Sequence, residues 1–179
     1  MYHRQVKYYL RRLLFSAVFA GLVFGYHFFQ DGQLHTLLYG DGTTAKAKGI
    51  RDIDGNTILV DKDGKPTYVR FIGISTIPRA CGEAQAAARL SALISGKKIT
   101  LKTDPAQGSS DQYGRMLAYV YLPNGHTAQE LQLRAGLAQV HGYDQHSFQL
   151  EDKFKTVQSQ ARSAHKGVWG PPCNGDFHK

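Results

Sequence analysis

The spacing of hydrophobic and polar positions changes along the chain, and the most apolar run lies near the N-terminus. The run Leu13–Phe29 carries no formal charge and only two clearly polar side chains, Ser16 and His27. An amphipathic helix packed on a soluble core would show a polar face recurring every 3.6 residues, and this run shows none. Its seventeen residues reach the lower limit for crossing a bilayer. The pattern therefore predicts a transmembrane helix at 13–29.

The residues before this helix predict its orientation. Residues 1–12 contain four basic side chains and no acidic one. Because positive charge is retained on the cytoplasmic side, we expect the N-terminus in the cytoplasm or in the matrix of an organelle. The rest of the chain would then lie across the membrane, in the periplasm or the intermembrane space. The alternative is a signal peptide cleaved after Ala20, but its apolar stretch would be shorter than the usual length of roughly 7–15 residues.

Short strand-like segments follow a linker. Residues 30–47 are rich in Gly, Thr and Asp and predict a linker, with one interfacial turn as the alternative. Beyond Lys48, apolar or alternating runs bounded by Asp-Gly and Asn-Gly turns predict strands. Helical spacing, a capping box that opens at Thr127 and a cap at Ser147 predict helices. The predicted strands include 57–61, 68–74, 98–102 and 116–122, and the predicted helices are 83–95, 127–136 and 147–166.

These elements predict an α+β domain built on an OB-type barrel. The order is three strands, one helix, two strands and two helices, and five short antiparallel strands with a helix after the third suit a small Greek-key barrel. The lone Trp169 follows the last helix and is expected to pin that helix to the barrel. The predicted segments are a basic N-terminal segment (1–12), the membrane helix (13–29), the linker (30–47), the barrel domain (48–170) and a polar tail (171–179).

Charge and cysteine content narrow the classes of partner. The formal net charge of the 179 residues is +8, and residues 1–12 supply +4 of it. The remaining residues hold 18 basic and 14 acidic side chains, which is a balance of +4. Such a mild excess permits a polyanionic partner without requiring one. The two cysteines, Cys81 and Cys173, exclude a disulfide-rich scaffold and are too far apart for a zinc knuckle.

Six motifs give the domain a resemblance to the staphylococcal nuclease-like (thermonuclease) family. Each motif alone is weak, but all six occur in the order and spacing of the family. The resemblance covers residues 48–170 and implies an OB-type barrel with three helices, in agreement with the pattern above. The motifs lie at 53–57, 69–74, 81–84, 111–115, 133–138 and 167–170.

The resemblance also implies a chemistry. Members of the family cleave phosphodiester bonds with a calcium ion, two arginines, and a glutamate that positions or activates the attacking water. A hard cation prefers anionic oxygen ligands, and guanidinium groups fork onto a phosphate as its charge develops. By motif, Arg70 and Arg115 match the two arginines of the family, and Tyr113 matches the tyrosine of the same turn.

The acidic positions depart from the pattern of the family. Where the family has Asp-Gly-Asp-Thr, this chain has Asn56 in place of the second aspartate. Where the family has Asp-Thr-Pro-Glu, this chain begins with Ser75, and Pro78 or Arg79 stands where the glutamate is expected. The degenerate metal positions are then Asn56, Ser75 and the carbonyl of Thr76, and calcium affinity depends largely on the number of carboxylates. The sequence therefore predicts no metal cofactor and no nuclease activity, with Ca²⁺ as the cofactor only if the site functions.

The retained arginines predict a pocket for an anion. Arg70, Arg115 and Tyr113 are the candidates to contact it, and Arg79 joins them if the chain carries it past the position of the missing glutamate. The occupant would be a phosphate group, an acidic side chain of a partner, or an acid of this same chain.

Three functions stay open at this point. The first is a membrane-anchored, inactive nuclease-like domain that acts as an accessory or binding subunit of a membrane assembly, and we expect this one. The others are an active calcium-dependent endonuclease on DNA or RNA, and a purely structural docking barrel. The membrane and other subunits of a membrane complex are the expected partners, and nucleic acid is possible but not required. Cys81 and Cys173 would form a bridge in an oxidising space or stay two thiols, and the orientation of the membrane helix favours the bridge.

Overall fold

Seven strands and three helices make up the described part of the chain. A computed structural model describes residues 42–76, 81–142 and 146–176. The strands are β1 (Thr44–Asp52), β2 (Thr57–Lys62), β3 (Lys65–Phe71), β4 (Ile74–Ser75), β5 (Lys98–Lys102), β6 (Met116–Tyr121) and β7 (Gln139–Val140). The helices are α1 (Glu83–Ile94), α2 (Ala128–Arg134) and α3 (Glu151–Ser163), with 3-10 turns at Pro105–Gln107 and Gly167–Trp169. Five strands close into a barrel in the order β1-β2-β3-β6-β5, and β4 pairs with β7. The predicted OB-type α+β barrel with three helices is confirmed.

One strand pair in the barrel is parallel. A closed ring with an odd number of strands cannot alternate in direction all the way round, so one neighbouring pair must run the same way. That pair is β3 and β6, in which Arg70 lies opposite Leu117. The other pairs of the ring are antiparallel. The prediction of five antiparallel strands is therefore wrong at this pairing.

The barrel begins earlier in the chain than predicted. Residues 44–48 pair with β5 in antiparallel register, so the end of the segment assigned to the linker belongs to β1. Ala47 is buried in the core, whereas Lys46 and Lys48 on either side of it are exposed. The strand was missed because alanines alternating with lysines give only a weak hydrophobic signal of period two.

A glycine divides the predicted strand 68–74 into two. Gly73 has a φ of 81°, in the left-handed region that glycine enters without strain. A Cβ at this position would lie 2.5 Å from the ring of Phe148. The chain therefore turns after β3 and resumes as β4, which leaves the barrel and pairs with β7.

The core fills the barrel and the space under the helices. Inward-facing residues of the five strands meet one face of each helix in a single apolar cluster. Burying a large apolar side chain stabilises the fold by about 1.5–3 kcal/mol, so this cluster holds the strands that carry the site. The largest fully buried apolar side chains include Ile58, Leu90, Ile99, Leu133 and Phe154.

The last helix starts later than predicted, and the expected cap at Ser147 is wrong. The structure begins α3 at Glu151, without a side-chain cap. The backbone N–H of Gln149 donates to Asp104 Oδ2 at 2.7 Å, and the hydroxyl of Tyr119 donates to the same oxygen at 2.7 Å. This buried polar group holds the chain in a turn before the helix, so helical geometry cannot begin at Ser147.

A disulfide joins the start of α1 to the C-terminal tail. Cys81 and Cys173 are bonded, with their Cα atoms 5.8 Å apart. Trp169 packs with both cysteines and Val168 in a small cluster that is separate from the barrel core. The guanidinium carbon of Arg162 in α3 lies 5.4 Å from the centre of the Trp169 ring. Trp169 thus links the last helix to the disulfide cluster rather than to the barrel core.

Other predicted segments lie outside the described residues. Within the described ranges, no helix has the length and apolar character needed to cross a bilayer. The predicted membrane helix, the basic segment before it and residues 30–41 of the linker are not among these ranges, and neither are Arg79 and residues 177–179 of the tail.

Candidate functional site

A tight loop between β1 and β2 presents the first motif. The carboxylate of Asp54 accepts from the backbone N–H of Asn56 at 3.2 Å and from the hydroxyl of Thr57 at 3.0 Å. Asp52 Oδ1 accepts from the backbone N–H of Gly55 at 2.8 Å. Short polar side chains that bond to their own backbone two or three residues on are typical of such turns. Both aspartates therefore hold the loop in shape.

Two polar side chains that are distant in sequence from the loop hold it through hydrogen bonds to its carbonyls. The fully buried Gln132 of α2 donates from Nε2 to the carbonyls of Gly55 at 3.2 Å and Ala86 at 2.8 Å. Thr76 Oγ1 donates to the carbonyl of Asp54 at 2.8 Å. Gln132 is not among the site residues predicted from the sequence, although a polar residue between two leucines in a short helix is a usable signal. These bonds position the loop against α1 and α2.

Asn56, in the loop of the first motif, is almost completely buried, with 3% of its surface exposed. Its backbone carbonyl accepts from the N–H of Phe71 at 2.9 Å and from Nη1 of Arg70 at 3.4 Å. Its side-chain Oδ1 lies 3.4 Å from the hydroxyl oxygen of Thr57, whose single hydrogen has the closer acceptor Asp54 Oδ2 at 3.0 Å. The position that carries a metal carboxylate in the family pattern thus presents a neutral amide.

Arg115 is held by Asp111 four residues before it. The guanidinium Nε donates to Asp111 Oδ2 at 2.6 Å. Asp111 Oδ1 accepts from the backbone N–H groups of Tyr113 and Arg115, each at 3.0 Å. Burial by itself would raise the pKa of the Asp111 carboxyl, but these hydrogen bonds and the charge of Arg115 outweigh it and lower the pKa. Asp111 therefore stays ionised and offsets much of the charge of Arg115.

Thr57 brings the two arginines to one place. Arg70 lies opposite Thr57 in the ladder of β2 and β3. Nη1 of Arg115 donates to the hydroxyl of Thr57 at 3.3 Å. The guanidinium carbon of Arg115 also lies 5.3 Å from the centre of the Tyr113 ring, and Tyr113 is 73% exposed. Arg70, Thr57, Tyr113 and Arg115 form one cluster, which we call the arginine site.

The other two degenerate metal positions lie at the end of β4. Ser75 is partly buried, and its hydroxyl donates to the carbonyl of Thr76 at 3.3 Å. That carbonyl is the oxygen that was expected to face a metal. Thr76 itself is buried and bonded to the loop of the first motif. Both residues offer neutral oxygens that are already engaged.

The carboxylates nearest this site all accept hydrogen bonds from groups of the same chain. Ca²⁺ takes six to eight oxygen ligands, and its affinity depends on how many of them are carboxylates. Here the carboxylates of Asp52, Asp54 and Asp111 are occupied by backbone, hydroxyl and guanidinium donors. Across the ranges that the structure describes, no group of three or more His, Cys, Asp or Glu residues is placed to hold a metal ion. The arrangement can instead present guanidinium groups and an aromatic ring to an anion.

Several known proteins are similar to this chain in sequence. Residues 68–171 match the family model described as "Staphylococcal nuclease homologue". The chain belongs to this family. The staphylococcal nuclease homologues most like it include a protein named "Thermonuclease" from Staphylococcus hyicus, 33% identical over 129 residues. That match covers 68% of this chain and 74% of the relative.

Two further relatives of the family are named endonucleases. "Endonuclease YncB" of Bacillus subtilis (strain 168) is 35% identical over 127 residues, which cover 66% of this chain and 59% of that protein. An "Uncharacterized endonuclease" of Escherichia coli O157:H7 is 29% identical over 121 residues, which cover 67% of this chain and 74% of that protein. The resemblance drawn from the motifs is thereby confirmed as family membership, and the domain is nuclease-like.

Proposed function

We propose that this staphylococcal nuclease homologue is a membrane-anchored, non-cleaving member of the family that serves as a binding subunit of a membrane protein assembly. The observation that supports this most is the use of the remaining carboxylates: Asp54 holds its own loop and Asp111 holds Arg115. Asn56 and Ser75 add no negative charge. Without an anionic cage there is no strong calcium site, and without the glutamate there is no base to activate water.

The proposal places the barrel across the membrane from the N-terminus, in the periplasm or the intermembrane space. The basic residues before the apolar run 13–29 favour an N-terminus on the cytoplasmic or matrix side. The disulfide between Cys81 and Cys173 favours the same topology, because cytosolic thiols are kept reduced. Protease added to sealed vesicles from the cytoplasmic or matrix side should leave the barrel intact, and digestion from that side would contradict this topology.

The arginine site is the proposed contact for the partner. The side chain of Arg115 is 24% exposed and the ring of Tyr113 faces solvent, so a guanidinium edge and an aromatic face are both within reach. Since Asp111 already offsets Arg115, we expect recognition of a single acidic side chain or phosphate rather than of a long polyanion.

Cleavage by the full-length protein in mild detergent tests the proposal. With Ca²⁺ present, we expect no cleavage of single-stranded DNA or RNA above the level without enzyme. The double variant Asn56→Asp with Ser75→Asp should bind calcium at least tenfold more tightly, because it restores two carboxylates, yet should not gain turnover. Asn124→Asp with Ser159→Asp adds the same charge at exposed positions and is the matched control. Robust cleavage that both a chelator and Arg70→Ala abolish would overturn the proposal.

A metal-dependent endonuclease is the second candidate function. It is favoured by the printed names of the relatives and by the presence of both arginines at one place. The cleavage assay separates the two candidates directly.

Binding separates an anion-receiving subunit from a purely structural barrel. When the wild-type protein is extracted in mild detergent and purified, subunits of the assembly should co-purify with it. The Arg70→Ala variant should lose these subunits with little loss of thermal stability. If Arg70→Ala retains every co-purifying subunit, the arginine site is not the contact.

A further inference from the structure

Lysines line the outer side of two neighbouring barrel strands. Side chains alternate along a strand, and Ala47 of β1 points into the core, so its neighbours Lys46 and Lys48 point outward. Buried Ile99 and Leu101 set the same alternation in β5. The two strands pair with Lys48 opposite Lys98, Lys46 opposite Thr100 and Thr44 opposite Lys102. We call this surface the lysine face; its members are Thr44, Lys46, Lys48, Lys98, Thr100 and Lys102.

One pair of lysines on the lysine face, Lys48 and Lys98, brings like charges together. Lys48 and Lys98 are directly opposite each other, an arrangement of like charges that destabilises a sheet. Neither belongs to any ion pair among the described residues. Lys46 Nζ donates to the hydroxyl of Thr100 at 2.8 Å, which leaves its charge in place. The acid that the ladder sets beside this face is Asp61 of β2, opposite Lys48. An anionic surface would therefore relieve a repulsion that the fold retains.

The place of this face in the chain points to the membrane. β1 is the first strand among the described residues, and fourteen residues, 30–43, separate it from the apolar run that ends at Phe29. Such a segment spans at most about 50 Å even when fully extended. Lys46 and Lys48 follow the start of β1 by about 7 and 13 Å along the strand. The lysine face thus begins where the covalent connection to the proposed anchor enters the barrel.

We propose that the lysine face docks on the anionic lipid headgroups of the membrane that holds the anchor. This inference rests on the anchorage in the proposed function. Lysine ammonium groups are compact, mobile charges that suit a diffuse negative surface. The aromatic rings that the ladder sets beside this face are Tyr121, which is partly buried, and Tyr119, which is fully buried. A face that follows a single nucleic-acid strand instead exposes aromatic rings on which bases stack. Each lysine close to an anionic surface favours docking by about fivefold, so Lys46, Lys48 and Lys98 together favour it by about a hundredfold if additive. Docking would fix which way the arginine site faces from the membrane.

Lysine footprinting on the full-length chain tests the docking. The protein is placed in lipid nanodiscs of phosphatidylcholine alone or with 30% phosphatidylglycerol, and an amine-reactive ester labels its lysines for mass spectrometry. We expect Lys46, Lys48 and Lys98 to react at least threefold more slowly in the anionic discs, and to regain their rate in 1 M salt because screening removes the attraction. Lys155 of α3, which packs against α2 and β7, should react equally in both.

Matched variants keep the test specific. Lys48→Gln with Lys98→Gln should abolish the slowing at Lys46, whereas Lys155→Gln with Lys166→Gln removes the same charge from exposed positions in and just after α3 and should preserve it. Equal labelling rates in both kinds of disc would overturn the docking. Slowing by a short DNA oligonucleotide in neutral discs, without slowing by phosphatidylglycerol, would overturn it too and assign the face to nucleic acid. If the full-length chain leaves the neutral discs during a carbonate wash at high pH, the result counts against the membrane anchor and not against the docking. In that case, lysine labelling in the presence of added anionic vesicles still decides the docking.

Discussion

Asp111, which lies beside the arginine site, has a structural role. Asp111 accepts two backbone N–H groups and the Nε of Arg115, so it serves the turn and the arginine together. Asp111→Asn keeps the shape and removes the charge, and it should lower the free energy of unfolding by about 2–3 kcal/mol. Urea denaturation at pH 7 measures this change. Asp61→Asn, an exposed aspartate of β2, should change the free energy of unfolding by less than about 0.5 kcal/mol. If Asp111→Asn lowers the free energy of unfolding no more than Asp61→Asn does, the structural role of Asp111 is contradicted.

Glu130 is a second buried carboxylate with a structural duty. Its side chain is 2% exposed and forms ion pairs with Arg134, with His126 at 3.2 Å and with Lys153 at 2.8 Å. Burial would raise the pKa of Glu130, but the hydrogen bonds and charges of Lys153 and His126 outweigh it and lower the pKa.

The lowered pKa of Glu130 predicts how stability depends on pH. Because its pKa is lower folded than unfolded, the carboxylate stabilises the protein above the unfolded value of about 4.3, and this stabilisation is lost as the pH falls through the folded value. The free energy of unfolding should therefore drop more between pH 6 and pH 3 in the wild type than in Glu130→Gln. Glu151→Gln removes a more exposed partner of Lys155 and should keep the wild-type slope. Parallel slopes for the wild type and Glu130→Gln would contradict the prediction.

At the scale of elements, α2 positions the loop of the first motif through Gln132. Gln132→Leu removes the donor to the carbonyls of Gly55 and Ala86, and it should lower the free energy of unfolding by about 1–3 kcal/mol. Hydrogen exchange should also become faster at the amides of Gly55 and Asn56. Gln129→Leu is the matched control, since Gln129 is equally buried in α2 but bonds to β6. If both variants accelerate exchange in the loop equally, Gln132 has no special role in positioning it.

The same scale shows which elements the sequence predicts and which it does not. The pattern predicts α1, β5 and the start of α2 well, because local signals agree there: an apolar stripe, a strict alternation, and a Thr127 side chain that accepts from the N–H of Glu130 at 3.1 Å. It places the start of α3 wrongly, because Asp104 and Tyr119 hold the preceding turn from a distant part of the chain. Local periodicity carries no information about such contacts.

The candidate site divides in the same way. The motifs locate Arg70, Arg115 and Tyr113, and the structure brings these three together around Thr57. The motifs leave three occupants of the pocket open, because an ion pair depends on side-chain geometry. At Arg115 the structure shows one of them, an acid of this same chain: Asp111 offsets much of its charge.

On the scale of the whole molecule, the disulfide joins the chain just before α1 to the C-terminal tail. Cys81 and Cys173 are 92 positions apart, so the bond removes much of the freedom of the unfolded chain. The chain-entropy relation gives about 4–5 kcal/mol for a loop of this length, and measured values are commonly lower, so Cys81→Ser with Cys173→Ser should cost about 2–4 kcal/mol. Urea denaturation with and without reductant measures this difference in the wild type. The reductant should have no effect on the double variant, and an equal effect on both proteins would contradict the prediction.

The disulfide also keeps the molecule in one covalent piece after a protease cuts it once between the two cysteines. A single cut anywhere between Cys81 and Cys173 leaves two fragments that are still one covalent object, because the bridge spans the nick. β5, β6, α2 and α3 all lie within this stretch, so their hydrogen bonds and packing continue to hold the cut ends in register. A nicked molecule would migrate as intact chain in a non-reducing gel and separate into two pieces only after reduction. In a compartment rich in proteases, the protein would therefore stay folded and covalently joined after one peptide bond has been cleaved.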